Sequence, residues 1–153
     1  MPVLFVCNGN VWRSQIAEFY FNNLFKERAI SAGLSKQWDG MLVKDVLGAL
    51  NLAPLLQWLQ DNKIDIQNNK CKQVRNEHVE AASVIFVFDS GLLDEMQKMF
   101  PTAAYKTFLL GNLIGLSDPE IVNSLNKELK VHIATADRVK LAVEVLKQKG
   151  LFI

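Results

Sequence analysis

The chain has 153 residues, of which half are apolar and 22% are charged, and this composition excludes a disordered protein. Its 17 Lys and Arg residues balance 16 Asp and Glu residues, so the overall charge gives no reason to expect a nucleic acid or an anionic membrane as a partner. The two cysteines, Cys7 and Cys71, are too few for a disulfide framework or a four-thiolate zinc site. The length predicts a single domain over residues 1–153.

Apolar runs along the chain are short. Residues 1–7 contain no basic leader and no small-residue cleavage site. The other long apolar run, residues 81–88, is far shorter than the ~20 residues that cross a membrane. We therefore expect a soluble, cytoplasmic protein whose thiols are reduced.

Strand-like runs and helical spacing alternate along the sequence. Apolar runs predict four strands, at residues 3–7, 29–32, 83–88 and 105–110. Helical spacing predicts four main helices, which begin near Ser14, Pro54, Ser90 and Thr135. Two of these residues, Ser14 and Thr135, are predicted to cap the helices that follow them.

This alternation predicts an α/β fold, a single doubly wound domain with a four-stranded parallel sheet and helices on both faces. The first and third strands are the most apolar, so we expect them at the centre of the sheet, in the order 2-1-3-4. Crossovers are expected to be right-handed. Ligands of such sheets bind outside the carboxyl ends of the strands, which directs attention to the residues after the first strand.

The first strand runs directly into Cys7-Asn8-Gly9-Asn10-Val11-Trp12-Arg13-Ser14. Backbone N–H groups of a loop between a strand and a helix can converge on an anion, and the helix dipole helps. Gly9 and Asn10 tolerate positive φ, and Arg13 can hold a phosphate with two parallel hydrogen bonds. The same field favours the thiolate form of Cys7, and Ser14 can donate to its sulfur. We call residues 7–14 the phosphate loop; the simpler alternative is a buried Cys7 and a surface Arg13.

Residues 3–18 resemble the low molecular weight protein tyrosine phosphatase family. The family pattern is an apolar strand, then Cys, any residue, Gly, Asn, two variable residues, Arg and Ser, and a helix that opens with Ile-Ala-Glu. Every fixed position matches, whereas Gln15 stands where the family usually has Pro. Ser31 resembles the family's loop-supporting serine, Asp89 the Asp at the end of its third strand, and Asp118-Pro119 its general-acid loop.

The resemblance implies a metal-free phosphatase without a cofactor that forms a phosphocysteine intermediate. Cys7 is then the nucleophile, Arg13 stabilises charge on the phosphoryl oxygens, and Asp118 is the general acid and later the base. The substrate-binding residues are the remaining members of the phosphate loop: Asn8, Gly9, Asn10, Val11, Trp12 and Ser14. The implied partner is a phosphorylated protein, with phosphotyrosine first, or a small phosphomonoester; nucleic acid and membrane are not expected, and the oligomeric state is open.

Several positions depart from the family pattern. Glu120 and Ile121 replace two aromatic residues that follow the Asp-Pro pair, which would put a carboxylate at the mouth of the site. Trp38 is either an aromatic wall of the site or a packing residue. Asn69 stands where the family often has a loop-supporting His, and Trp12 where some members have a second cysteine.

Two segments, residues 38–53 and 121–134, look longer than the family norm. Apolar residues at helical spacing in the first of them predict either a lid or additional core, and core is slightly favoured: Met41, Leu42, Val46, Leu47 and Leu50.

Three other functions fit parts of the pattern. Arsenate reductases share the fold and the nucleophile, but thiol-coupled versions need resolving cysteines, and Cys71 is expected to be structural. A phosphocarrier module has no use for a pair such as Arg13 and Asp118 that is suited to hydrolysis. A module that only binds phosphoproteins does not need the acid.

Overall fold

The computed structural model describes residues 1–124 and 128–150. Its strands are β1 Val3–Cys7, β2 Ala29–Gly33, β3 Val84–Val87 and β4 Thr107–Leu109. Its helices are α1 Arg13–Leu24, α2 Val43–Ala49, α3 Pro54–Asp61, α4 Asn76–Ala81, α5 Ser90–Met99, α6 Leu110–Leu113 and α7 Leu129–Gln148. A 3₁₀ helix, Pro101–Lys106, precedes β4.

The four strands form one parallel sheet in the order β2-β1-β3-β4, as the sequence predicts. All five residues of β1 are buried, because the strand pairs on both sides and is covered on both faces. In the register of the sheet, Cys7 at the end of β1 lies beside Gly33 at the end of β2, and Val6 lies beside Val87 of β3. The carboxyl ends of these three strands therefore meet at one edge.

Aromatic residues form the centre of the core. The ring of Phe5 contacts those of Phe21, Phe86 and Phe88, with centroid separations between 5.7 and 6.2 Å. The residues of the longer segment 38–53 add to this core, since α2 forms there and Val46 and Leu47 are completely buried. Of the other longer segment, 121–134, residues 125–127 lie outside the described ranges.

Two predicted helix caps are wrong. The first helix begins at Arg13, so Ser14 lies inside its first turn, where its hydroxyl bonds to Cys7 and Asn10. The last helix begins at Leu129, six residues before Thr135, so Thr135 lies in its interior. The fourth strand is also shorter than predicted, because residues 105 and 106 belong to the 3₁₀ helix.

Within the described ranges, no helix combines the length and the apolar character that crossing a membrane requires.

Candidate active site

Cys7 ends β1 with its side chain almost completely buried, and its Sγ lies 2.9 Å from Oγ of Ser14. Either atom can be the donor when the sulfur carries its proton. A thiolate can only accept, so in that form the hydroxyl of Ser14 donates to it. The first turn of α1 therefore supplies a hydrogen bond that favours the charged sulfur.

Asn10 connects the phosphate loop to its surroundings. It is fully buried and has a φ of 56°, which is the left-handed conformation that Asn tolerates better than most residues. Its Nδ2 donates to Oγ of Ser14 at 2.8 Å and to Oγ of Ser31 at 3.0 Å. Its Oδ1 accepts from the backbone N–H of Lys72 at 2.8 Å. The expected support of the loop by Ser31 is present in this form.

Gly33, the last residue of β2, allows the phosphate loop to approach the strand. A Cβ at this position would lie 2.7 Å from the backbone N of Asn10 and 2.7 Å from the carbonyl oxygen of Asn8. The contact is with backbone atoms, so no side-chain rotation relieves it. Only glycine fits between the loop and the strand.

Arg13 is 3% exposed. Its Nη1 donates to Oδ2 of Asp89 at 2.8 Å and to the carbonyl oxygen of Ile121 at 2.7 Å. The guanidinium carbon also lies 5.8 Å from the ring centroid of Phe88, which adds a cation–π contact. Both hydrogen bonds use Nη1 and no described residue accepts from Nε or Nη2, so these two nitrogens can form a bidentate pair with an oxyanion.

The sulfur and the guanidinium share one small cavity of about 10 Å³. Its described lining comprises Cys7, Gly9, Val11, Trp12, Arg13, Asn123 and Ser124. The structure therefore brings the two ends of the phosphate loop together and adds residues 123 and 124, which the sequence did not identify.

Two tryptophans border the phosphate loop. The indole of Trp12 is buried, donates from Nε1 to the carbonyl oxygen of His132 on α7 at 2.9 Å, and packs against Trp58 of α3. Trp38 is half-buried, and its indole lies 3.0 Å from the position that a Cβ on Gly9 would occupy. Trp38 thus stands beside the loop, in a position that suits an aromatic wall of the site.

Asp118 lies away from the cavity in this structure. Its side chain is 72% exposed, and one carboxylate oxygen is 3.8 Å from Nη1 of Arg138. The other oxygen accepts from the backbone N–H of Glu120 at 3.2 Å. We call residues 117–124 the acid loop. The later residues of the acid loop, Ile121 to Ser124, reach Arg13 and the cavity. The carboxylate of Asp118, near the start of the loop, faces solvent.

The carboxylate of Glu120 is held by the first residue of α5, and Glu120 is not among the described residues that line the cavity at Cys7. Its carboxylate accepts from the backbone N–H of Ser90 at 3.1 Å and from the Ser90 hydroxyl at 2.6 Å. Ser90 begins α5, and unpaired N–H groups at the start of a helix attract a carboxylate. Ile121 is buried, so neither residue offers a substitute for the family's aromatic pair.

Comparison with known proteins identifies the family to which the chain belongs. The model of the low molecular weight phosphotyrosine protein phosphatase family matches residues 2–149. The chain belongs to this family. It is similar to a protein-arginine-phosphatase of Geobacillus stearothermophilus, with 26% identity over 152 residues that cover 96% of this chain and 94% of the relative.

Solved structures agree with the family assignment. The YwlE arginine phosphatase from Geobacillus stearothermophilus superposes with a TM-score of 0.80 at 25% identity, covering 97% of this chain and 91% of that one. A low molecular weight protein tyrosine phosphatase from T. tengcongensis has a TM-score of 0.78 at 26% identity, with coverage of 97% and 99%. The chain is therefore a phosphatase, and the phosphocysteine mechanism is typical of its family.

The second cysteine of this family member is a poor nucleophile. Burial, with the charge of Cys7 adding to it, raises the pKa of the Cys71 thiol to about 12. A thiol that stays protonated neither attacks a disulfide nor binds a metal readily. In residues 1–124 and 128–150, no three His, Cys, Asp or Glu side chains come together as possible metal ligands.

Glu18 is a carboxyl group behind the phosphate loop. Burial raises its pKa above 4.5, and the largest opposing effects are the charge of Lys72 and a hydrogen bond from Ser31. Ser31 therefore links Asn10 of the loop to this half-buried carboxyl group.

Three supporting residues were not found from the sequence. Arg138 and His132 reach the site from α7, more than 100 residues after the phosphate loop, and no local pattern announces such a contact. Gln15 was noted only as a departure from the family's proline. A buried glutamine in the first turn of a helix is a signal that can be read, because a buried amide needs polar partners.

Proposed function

We propose that Cys7 is the nucleophile, Arg13 the phosphate clamp and Asp118 the general acid of a phosphatase that acts on phosphotyrosine in proteins. We also propose that residues 1–153 form one phosphatase-like domain and that the protein is cytoplasmic. The observation that carries the proposal is that Sγ of Cys7 and the buried guanidinium of Arg13 line the same cavity, with Ser14 bonded to the sulfur.

The first step transfers the phosphoryl group to sulfur. The thiolate of Cys7 attacks phosphorus, the bond to the leaving oxygen breaks, and that oxygen takes a proton from Asp118. Nε and Nη2 of Arg13 bind two phosphoryl oxygens, while the other loop residues, Asn8, Gly9, Asn10, Val11 and Trp12, surround the group. The hydroxyl of Ser14 donates a hydrogen bond to the thiolate before the attack and again when the sulfur leaves.

The second step regenerates the sulfur. The carboxylate of Asp118 takes a proton from water, the water oxygen bonds to phosphorus, and the S–P bond breaks to release orthophosphate and the Cys7 thiolate. No metal is required, because the positive charge comes from Arg13 and the loop N–H groups.

The acid loop borders the cavity at Cys7. Asn123 and Ser124 of this loop line the cavity, whereas the carboxylate of Asp118, earlier in the same loop, faces solvent. The general-acid role requires this carboxylate to reach the leaving atom of a bound substrate.

Phosphotyrosine is the first candidate substrate because the indole of Trp38 lies beside Gly9 of the phosphate loop, where it can contact an aromatic ring. Phosphoarginine is the second candidate, and a specific observation favours it: a relative that aligns with 96% of this chain is a protein-arginine-phosphatase. Phosphoarginine carries a P–N bond, so Asp118 would protonate nitrogen instead of oxygen. A small phosphomonoester remains the alternative to a protein substrate.

The other functions are less well supported. An arsenate reductase of the thiol-coupled type needs a reactive second thiol, and the raised pKa of Cys71 opposes that role. A phosphocarrier or a binding module would not need an acid loop that reaches the guanidinium of Arg13.

The deciding experiment measures phosphate release from three peptides of one sequence that carry phosphotyrosine, phosphoarginine or phosphoserine. We expect turnover of the phosphotyrosine peptide that is insensitive to chelator and absent in Cys7→Ser, which should still bind orthophosphate or vanadate. Faster turnover of the phosphoarginine peptide would transfer the assignment to the second candidate. Activity retained in Cys7→Ser, or lost on chelation, would overturn the mechanism.

A further inference from the structure

Gln15 is a buried glutamine, 1% exposed, in the first turn of α1. Its Nε2 lies 3.2 Å from both the carbonyl oxygen and Oδ1 of Asn10, and 3.3 Å from the carbonyl oxygen of Lys70. Its Oε1 accepts from Nδ2 of Asn69 at 3.1 Å. The family usually has a proline at this position, and a proline side chain offers none of these bonds.

These contacts fix which way the amide of Asn10 faces. Its Oδ1 accepts from Gln15 and from the backbone N–H of Lys72, so the oxygen has two donors on one side. Its Nδ2 has two hydroxyl acceptors on the other side, Ser14 and Ser31. Rotating the amide by 180° would place Nδ2 against two donors and would leave buried groups without partners, which is costly.

The orientation of Asn10 controls the hydroxyl hydrogen of Ser14. Because Nδ2 of Asn10 donates to Oγ of Ser14, the hydrogen of that hydroxyl is left for the sulfur of Cys7, 2.9 Å away. In the rotated amide Oδ1 would face Ser14 and would compete with the sulfur for that hydrogen. Hydrogen bonds in such a chain also polarise one another, so a donor at one end strengthens the bond at the other.

We propose that Gln15 is a positioning residue that holds the amide of Asn10 in the orientation that leaves the hydroxyl hydrogen of Ser14 for Cys7, and that Asn69 acts by holding Gln15. The inference rests on the proposed role of Cys7 as nucleophile. It extends that proposal to two residues that lie outside the cavity at Cys7.

Three variants test it: Gln15→Met and Asn69→Leu, which keep side-chain volume without hydrogen bonds, and Gln15→Glu, which keeps the shape of Gln15. A carboxylate at position 15 cannot donate to Oδ1 of Asn10 and would attract Nδ2 instead, which favours the rotated amide. We therefore expect Gln15→Glu to lower kcat on an aryl phosphate at least as much as Gln15→Met, by about tenfold, the usual scale of one lost hydrogen bond. The rate at which iodoacetamide alkylates Cys7 should fall in parallel.

The matched control is Gln57→Met, which removes another glutamine bond, to Asp61, on an exposed face of α3. It should leave kcat and the alkylation rate unchanged. Asn69→Leu as a single variant should lower kcat. Because Asn69 acts through Gln15, adding Asn69→Leu to the Gln15→Met variant should lower kcat no further.

Wild-type kcat in Gln15→Glu, or additive losses in the double variant, would overturn the inference. Thermal unfolding of each variant shows whether it is folded; if the Gln15 variants do not fold, Asn69→Leu with unchanged kcat and alkylation rate is sufficient to reject the idea. Failure of the proposed function looks different, since Cys7→Ser would then retain activity.

Discussion

Arg138 holds Asp118 at two points: its Nη2 donates to the carbonyl oxygen of Asp118 at 2.8 Å, and its Nη1 lies 3.8 Å from the carboxylate. Nη1 also donates to the carbonyl oxygen of Glu120 at 2.7 Å. One side chain on α7 therefore fixes the backbone on both sides of Pro119. The carboxylate proposed as the acid is held by a residue that has no part in the chemistry.

Loss of this contact should affect catalysis selectively. We expect Arg138→Met to reduce kcat/KM for phosphotyrosine by about tenfold, because two hydrogen bonds that position the acid loop are lost. The reduction for p-nitrophenyl phosphate should be smaller, since its leaving group needs less proton transfer. Lys130→Met, an exposed residue of the same helix, is the control. Equal reductions on both substrates would argue against a role through the acid.

Asp118→Asn should reduce the rate more for substrates with poor leaving groups than for substrates with good ones, and this difference should be larger than in Arg138→Met. A general acid contributes ~10²–10⁴-fold, and this contribution matters most where the leaving atom is a poor anion. We expect the loss to increase from p-nitrophenyl phosphate to phosphotyrosine and, if it is a substrate, to phosphoarginine. Equal losses of the steady-state rate on all of these substrates would contradict the role of Asp118 as the acid, and Glu120 is then the next carboxylate to test.

Arg13→Lys should lower kcat/KM by about 10²–10³-fold, the scale reported for removing one group that stabilises the transition-state oxyanion. A lysine keeps the positive charge but cannot form two parallel hydrogen bonds with a phosphoryl group. It also lacks the planar guanidinium that binds the phosphoryl group while Nη1 donates to Asp89 and to the carbonyl oxygen of Ile121. Competitive inhibition by orthophosphate should weaken as well. Arg75→Lys, in an exposed ion pair with Asp39, provides the comparison and should remain fully active. Near-normal kcat/KM in Arg13→Lys would contradict the assigned role.

His78 should make the stability of the fold depend on pH. Its Nδ1 accepts from the backbone N–H of Arg75 at 2.9 Å, and burial, with the charges of Lys72 and Arg75 adding to it, lowers its pKa below 6.5. The unfolded chain then binds the proton more readily than the folded one, so stability falls as the pH drops below about 6.5. We expect the difference in Tm between the wild type and His78→Gln, taken as wild type minus variant, to become smaller as the pH is lowered from about 8 to about 5. A constant difference would show that His78 does not contribute to this dependence.

The sequence predicted the centre of the fold better than the surroundings of the site. β1 and β3 are apolar throughout because both of their faces are covered, and this property is visible in a single segment. Cys7 and Arg13 belong to the same local segment, so their spacing and context were readable as well. The cap predicted at Ser14 was wrong, because the hydroxyl bonds to Cys7 and Asn10 instead of to the helix backbone.

The parts that could not be predicted depend on contacts between distant segments. The carboxylate of Glu120 binds the backbone N–H and the hydroxyl of Ser90 at the start of α5, thirty residues earlier, and the local sequence does not indicate this partner. The position of Asp118 depends on Arg138, twenty residues later. The position of the Trp12 indole depends on a hydrogen bond to a carbonyl oxygen of α7. A sequence shows which polar groups need hydrogen-bond partners, but it does not show which distant segment supplies those partners.

The bond from Trp12 to the carbonyl oxygen of His132 joins positions 120 residues apart. Because synthesis runs from the N-terminus, the phosphate loop is made before β2, the strand with which β1 pairs. Helix α7, which supplies the carbonyl oxygen, is made more than 100 residues after the loop. A nascent chain that has not yet reached α7 therefore contains Cys7 and Arg13 without the group that holds the indole of Trp12.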